Sequence, residues 1–283
     1  MKLPRFEYAA PGTLDEALAL LASTPGAKPL AGGQSLIPTM AFRLAAPPML
    51  VDLRRIGGLD GIRIGADGTR LGARVRWRDI QDHAELRHAQ PLLAAAVEHV
   101  AHYPIRNRGT VGGSLAHADP AAELPGIAVT CDATIHLQGR RGRRAVPAAE
   151  FFTGALSTVL AEDELIVEVH FPSWPPGRRW GFEELSPRRG DFAYAGVACF
   201  YDLKHGKADN AHVGVIGACH RPHRIRGAEA ALNGRVVDAT AIQAAAAAAE
   251  EAVDPPGDLH ASAAYRRALV SALLERALNK EPT

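Results

Sequence analysis

Ile105-Arg106-Asn107-Arg108-Gly109-Thr110-Val111-Gly112-Gly113-Ser114-Leu115-Ala116-His117-Ala118-Asp119-Pro120-Ala121-Ala122-Glu123 is the stretch that most narrows the fold. Its centre is a pair of adjacent glycines bordered by the hydroxyls of Thr110 and Ser114. A shorter version lies upstream at Ala31-Gly32-Gly33-Gln34-Ser35. A turn made of glycines lets successive backbone N–H groups approach an anion with no side chain in the way. The pyrophosphate of a dinucleotide is such an anion, and Ser35, Thr110 and Ser114 add hydroxyl donors. In both loops the glycines are adjacent, so neither fits the GxGxxG pattern of a doubly wound sheet, which disfavours a nicotinamide-binding Rossmann domain. Taken alone, the upstream loop is better read as an ordinary strand-to-helix turn, since paired glycines are common there.

The flanking sequence supplies the elements such loops need. Thr13-Leu14-Asp15-Glu16 predicts a capping box opening a helix with an apolar face at Leu14, Ala17, Leu18 and Leu21, ended by Pro25-Gly26. A strand over 28–30 enters the first loop, and a short helix starts near Leu36. Residues 49–53 predict another strand, and 61–64 with 69–73 a hairpin around Asp67-Gly68. Trp77 opens a helical stretch, and a long helix carrying Leu92, Leu93, Ala96, Val97 and Val100 leads to the second loop. Strands follow over 133–137 and 165–171, and Arg140-Arg141-Gly142-Arg143-Arg144 has the character of a solvated hairpin turn. Pro172-Ser173-Trp174-Pro175-Pro176-Gly177 is the best linker candidate. Beyond it, strands over 180–185, 193–203 and 211–217, then helices over 238–253 and 261–278, predict an antiparallel sheet covered by helices. The domain expectation is 1–175, in two lobes divided near 55–60, followed by 178–283.

Composition bounds the function. Lys plus Arg number 32 against 31 Asp plus Glu, so no global field draws the chain to nucleic acid or anionic lipid. Cys131, Cys199 and Cys219 lie far apart in apolar runs without CxxC spacing, which predicts buried thiols and no metal on this chain. The 12 histidines form no HxH or HExxH pair. No signal-like or membrane-spanning apolar segment is present in the sequence, so a cytoplasmic, soluble chain is expected. No acid, base or nucleophile stands out as a catalytic set.

Together the two loops, the Gly190-Asp191-Phe192-Ala193 segment and the alanine-rich tail resemble the FAD-binding medium subunit of the xanthine dehydrogenase and carbon monoxide dehydrogenase family of molybdenum hydroxylases. The resemblance covers essentially the whole chain. It implies an α+β fold: a two-lobed FAD-binding domain of the vanillyl-alcohol-oxidase-like type, then a small C-terminal domain of antiparallel sheet and helices. It implies non-covalent FAD held by Ala31, Gly32, Gly33, Gln34, Ser35, Leu36 and Ile37 on one side and by Thr110, Val111, Gly112, Gly113, Ser114 and Ala116 on the other. Glu123 stands where the family often carries Asp, with an implied hydrogen bond to ribityl or ribose hydroxyls. Leu165, Phe192 and Tyr194 are the implied flavin neighbours, Tyr194 where NAD-reducing relatives can carry Lys. Phe192 and Tyr194, at strand spacing, share a face, and core packing is the competing reading for Phe192, as it is for Leu165.

The same resemblance places the molybdenum cofactor on a large partner subunit and two [2Fe-2S] clusters on a small one, in a dimer of heterotrimers. For Asp119-Pro120 a plain turn competes with a cofactor role. Arg106 and Arg108 are expected to serve structure or an interface, and His117 a surface role. Two other functions remain open at this point: a self-contained flavoenzyme of the same fold, and a non-catalytic nucleotide-binding assembly module.

Overall fold

Four β-sheets account for the strands, three of them with three to five strands and the fourth a two-stranded pair, Phe152–Gly154 with Ser157–Thr158, and the computed structural model that carries them describes residues 2–280. In the first, Glu7–Ala9 and Lys28–Leu30 both pair in parallel with Met49–Asp52. The helix Leu14–Ser23 makes the crossover between parallel strands and buries Ala17, Leu18 and Leu21. Thr13 Oγ1 accepts the Glu16 N–H at 3.2 Å, and the Glu16 carboxylate reaches back to the Gly12 N–H at 2.8 Å, one residue earlier than a standard capping box. Leu53, expected in the strand, instead opens a 3-10 turn capped by Asp52.

The second sheet has five antiparallel strands, in the order Ile62–Gly65, Gly68–Gly72, Glu164–Pro172, Thr134–Gly139 and Gly142–Pro147. Both predicted hairpins form. Gly68 (φ +133°) faces the next strand so closely that a Cβ would sit 2.1 Å from the Phe171 carbonyl oxygen. The arginine-rich turn is exposed, with Arg144 paired to Glu164 at 2.6 Å. The helical stretch opened by Trp77 is the helix Trp77–Asp82, a second helix Ala84–Ala89 follows it, and the long helix expected through Val100 is the short third one, Pro91–Val97. The ring of His83 caps the second by accepting the Leu86 N–H, and Pro91 starts the third because its ring forbids continuation of the one before. Val100 lies past the last of them but is still buried.

Arg179–Leu185, Ala195–Lys204, Lys207–Ile216 and His223–Arg224 form the third sheet, antiparallel throughout. Helices Ala239–Ala252 and Ala263–Asn279 pack on it, together with Arg226–Leu232, a helix the sequence reading lacked. Its other face meets the helix Glu123–Thr130, also absent from that reading and buried at every position. Two glycines permit the contact. A Cβ on Gly214 would fall 1.8 Å from Thr130 Oγ1, and one on Gly126 would fall 2.3 Å from Ile216 Cγ1. The proline-rich linker is pinned, since Trp174 meets Phe200 edge-on at 5.3 Å and Arg178 binds Asp202 at 2.8 Å. The three cysteines are buried, and burial pushes each thiol up to about 12. Among the described residues no helix is long and apolar enough to cross a membrane.

Candidate functional site

The first loop is an open run of donors. It leaves the strand Lys28–Leu30 and enters the six-residue helix Leu36–Ala41 through Gly33, whose φ of +72° favours glycine. Among the described residues no hydrogen bond uses the backbone N–H of Gly32, Gly33, Gln34, Ser35 or Leu36. Their carbonyls are engaged instead: Gly32 O accepts from Gln34 Nε2 at 3.0 Å, Gly33 O from the Ile37 N–H, and Ser35 O from Thr39. Such a stretch of unmatched N–H groups, half-buried, presents a concentrated positive edge to an anion.

The second loop is built differently. Val111 N–H donates to Val75 O at 2.9 Å and Gly112 N–H to Ala73 O at 2.8 Å. The Thr110 hydroxyl accepts the Gly113 N–H at 3.2 Å, and Ser114 N–H is the first intrahelical donor of Val111–His117. The expectation that amides of both loops stand ready for an anion is therefore corrected for Val111 and Gly112, whose donors are consumed by the segment that follows the strand Gly68–Gly72. A Cβ on Gly112 would lie 2.7 Å from the Ala73 Cβ, so this glycine serves close packing. What the loop offers outward is the exposed Gly113 and Ala116 and the half-buried Ser114.

The two loops touch. A Cβ on Gly32 would fall 2.0 Å from the Arg108 carbonyl oxygen and 3.0 Å from Gly109 Cα, so the backbones of both loops lie directly against each other. Leu36 and Ile37 continue half-buried from the first. Leu165, 3% exposed, belongs to the core beneath, in the cluster against which Ala31 packs. Arg106 is structural: its guanidinium donates to the carbonyls of Val100 and Ala101 at 2.9 and 2.7 Å. Among the described residues the side chains of Arg108, exposed, and His117, half-buried, make no hydrogen bond or ion pair.

Downstream, Asp119 makes the local turn, its carboxylate accepting the Ala121 N–H at 2.9 Å. Pro120 O then accepts the Gly217 N–H at 2.8 Å, which joins the second loop to the third sheet. Glu123 opens the buried helix, and burial raises its carboxyl to about 7. Opposite stands Glu184, which sequence reasoning missed. Burial and then the Glu123 charge raise it to about 8, its Oε2 has no partner among the described residues, and His99 Nδ1 lies 3.8 Å from Oε1.

Phe192 and Tyr194 depart from expectation. The strand begins at Ala195, not Ala193, so the two rings do not share a strand face. Phe192 is 68% exposed, which removes the core-packing reading, while Tyr194 is half-buried with Arg266 behind it. The signal for Glu184 and Arg266 was absent from any local motif, because each reaches this region from a separate element of the C-terminal half.

Residues 4–174 match the model of the FAD binding domain in molybdopterin dehydrogenase, and residues 180–280 match the CO dehydrogenase flavoprotein C-terminal domain. The chain belongs to this flavoprotein family. Among its relatives, the nicotine 6-hydroxylase medium subunit of Paenarthrobacter nicotinovorans is 38% identical over 98% of both chains. The carbon monoxide dehydrogenase medium chain of Hydrogenophaga pseudoflava is 37% identical over 98% of this chain and 96% of that one. The solved carbon monoxide dehydrogenase of the same organism superposes with a TM-score of 0.96 at 39% identity, covering 99% of this flavoprotein and 98% of that chain. Quinoline 2-oxidoreductase from Pseudomonas putida 86 gives 0.94 at 37%, covering 98% and 97%.

Proposed function

We propose that this flavoprotein is the electron-transfer subunit of a heterotrimeric molybdenum hydroxylase. In this reading FAD, bound non-covalently, accepts electrons and yields them to an external acceptor; substrate is oxidised at a molybdenum cofactor on a large partner, and [2Fe-2S] clusters on a small partner carry the electrons between. The observation that carries it is the open run of N–H groups from Gly32 to Leu36, braced by the second loop through the Gly32 to Arg108 contact. That cradle fits a diphosphate, whose charge it meets with backbone donors and no side chain.

The geometry supports the following residue roles. Ala31 to Ile37 bind the diphosphate, with the Ser35 hydroxyl as an added donor. Gly113, Ser114 and Ala116 close the other side, while Thr110, Val111 and Gly112 hold that side in place. Glu123 faces ribityl or ribose hydroxyls, and its carboxyl, raised by burial to about 7, accepts from them and in its protonated form also donates. Leu165 supports the first loop from below, and Phe192 and Tyr194 cover the flavin from the C-terminal half. Residues 1–175 and 178–283 act as its two domains. Among the described residues no acid–base set is built around the loops, which suits a relay in which the cofactor supplies the chemistry. The full complex works in the cytoplasm as a dimer of heterotrimers.

The deciding experiment is purification of the tagged chain from its native host. A flavin spectrum, with a large molybdenum-containing chain and a small iron-sulfur chain in stoichiometric amounts, is expected. A yellow chain that purifies alone and turns over an organic substrate would establish a self-contained enzyme instead, and a colourless chain that binds no added FAD would overturn the flavin reading.

A further inference from the structure

The Arg266 guanidinium, on the helix Ala263–Asn279, lies buried behind Tyr194 with its side chain 7% exposed. Burying a cation is costly without partners, so its donors indicate what the arginine is there to hold. Nη1 donates to the Tyr194 carbonyl at 2.7 Å and to the Gly217 carbonyl at 3.4 Å, and Nη2 donates to Asp258 at 2.6 Å. The guanidinium carbon is 5.7 Å from the Tyr194 ring centroid, and Nε is buried without a partner among the described residues.

These contacts connect pieces far apart in sequence. Gly217 (φ +73°) donates its N–H to Pro120, at the end of the second-loop segment, and a Cβ on it would fall 2.7 Å from the Ala193 carbonyl oxygen. Tyr194 itself lies just outside the strand, anchored at its N–H by Leu185 O at 2.8 Å. Its carbonyl has Arg266 as its partner among the described residues. Asp258, which also accepts the N–H groups of His260 and Ala261, neutralises the guanidinium from the far side. The arginine therefore acts by geometry more than by field.

We infer that Arg266 is a positioning residue that holds the Tyr194 ring against the cofactor cleft, in register with the second glycine loop, without touching the cofactor. This rests on the proposed placement of Tyr194 beside the flavin. Tyr194→Leu in the full chain tests that placement first. Removing a quenching phenol should raise the fluorescence of bound FAD several-fold, and unchanged fluorescence would overturn the placement of Tyr194.

Arg266→Met then tests the positioning. Bound FAD should become more fluorescent and more accessible to iodide, and should dissociate roughly tenfold faster, the scale of one charge-assisted hydrogen bond. Arg266→Lys retains one cationic donor for the Tyr194 carbonyl and should recover most of the wild-type values. A response in Tyr194→Leu with wild-type behaviour in Arg266→Met overturns the positioning role. Where circular dichroism shows Arg266→Met to be unfolded, Asp258→Asn, which removes the charge that holds the guanidinium in place, carries the test. It should show a smaller rise in iodide accessibility, and wild-type accessibility overturns the inference.

Discussion

The two glycine loops look alike on paper and are built for opposite purposes. Gly32 and Gly33 belong to a segment whose N–H groups are left without partners, whereas Val111 and Gly112 give theirs to Val75 and Ala73. The first loop presents donors; the second spends its donors on holding itself against the core, while its Arg108 carbonyl lies directly against Gly32 of the first loop. A glycine pair thus signals close backbone approach, and the partner of that approach decides whether the loop binds or braces.

The largest break in this comparison is Gly32→Ala. The new methyl has only backbone to displace, the Arg108 carbonyl at 2.0 Å, so the loops must separate. Loss of about 3 kcal/mol of stability and of all FAD binding is expected, measured by urea unfolding and by flavin content after desalting. Wild-type flavin occupancy would dissolve the loop-to-loop brace.

Gly112→Ala and Gly33→Ala separate bracing from binding. Gly112→Ala presses on Ala73 and should cost about 2 kcal/mol of stability even in the flavin-free chain. Gly33→Ala meets only the flexible side chains of Ile37 and Leu30 at 3.2 Å and pays about 1 kcal/mol for its left-handed backbone, so its main effect should be weaker FAD binding. Paired unfolding and FAD titrations decide; equal stability losses would erase the distinction. Gly33→Asp adds a carboxylate against the diphosphate and should abolish binding outright.

A smaller effect concerns pH. Glu123 and Glu184 are raised from the ordinary carboxylate value to about 7 and about 8, so the folded state holds more protons than the unfolded one. Their contribution is fully present below about pH 4.5 and is lost as pH rises through 7 and 8. The flavin-free chain should be less stable at pH 9 than at pH 6. Glu184→Gln should recover on the order of 2 kcal/mol of that difference, read from unfolding curves at the two pH values. An unchanged pH slope would mean that the pair is ionised and solvated.

The smallest is Tyr194→Phe. The bonds of Tyr194 run through its backbone, so the variant should keep its FAD and shift the flavin midpoint potential only slightly, whereas Tyr194→Lys should raise it by placing a cation beside the reduced ring. Spectroelectrochemical titration of both compares them, and equal potentials would place residue 194 away from the cofactor.

Much of this architecture was legible in the chain itself. Period-two alternation marked the strands of the second sheet, Gly68 and Gly142 marked its hairpin turns, and Thr13 and Asp238 cap the helices they were expected to open. These are local signals, carried by neighbours within a few residues. What failed locally failed for local reasons too: the helix expected through Val100 is short, with Pro91 fixing its start and Val97 its end.

Tertiary structure alone decided which amides were left for a ligand. Whether the Gly112 N–H is free depends on the Ala73 carbonyl, 39 positions earlier, and whether Gly32 is braced depends on Arg108, 76 positions later. Likewise Glu184 faces Glu123 only because the third sheet closes over the helix Glu123–Thr130, and Arg266 meets the Tyr194 carbonyl only because the helix Ala263–Asn279 packs on the other face of that sheet. The sequence by itself determined where backbone could come close, since only glycine lacks a Cβ. The fold determined what it came close to, because a hydrogen bond needs its partner within about 3 Å and the pattern of residues along a chain does not state that distance.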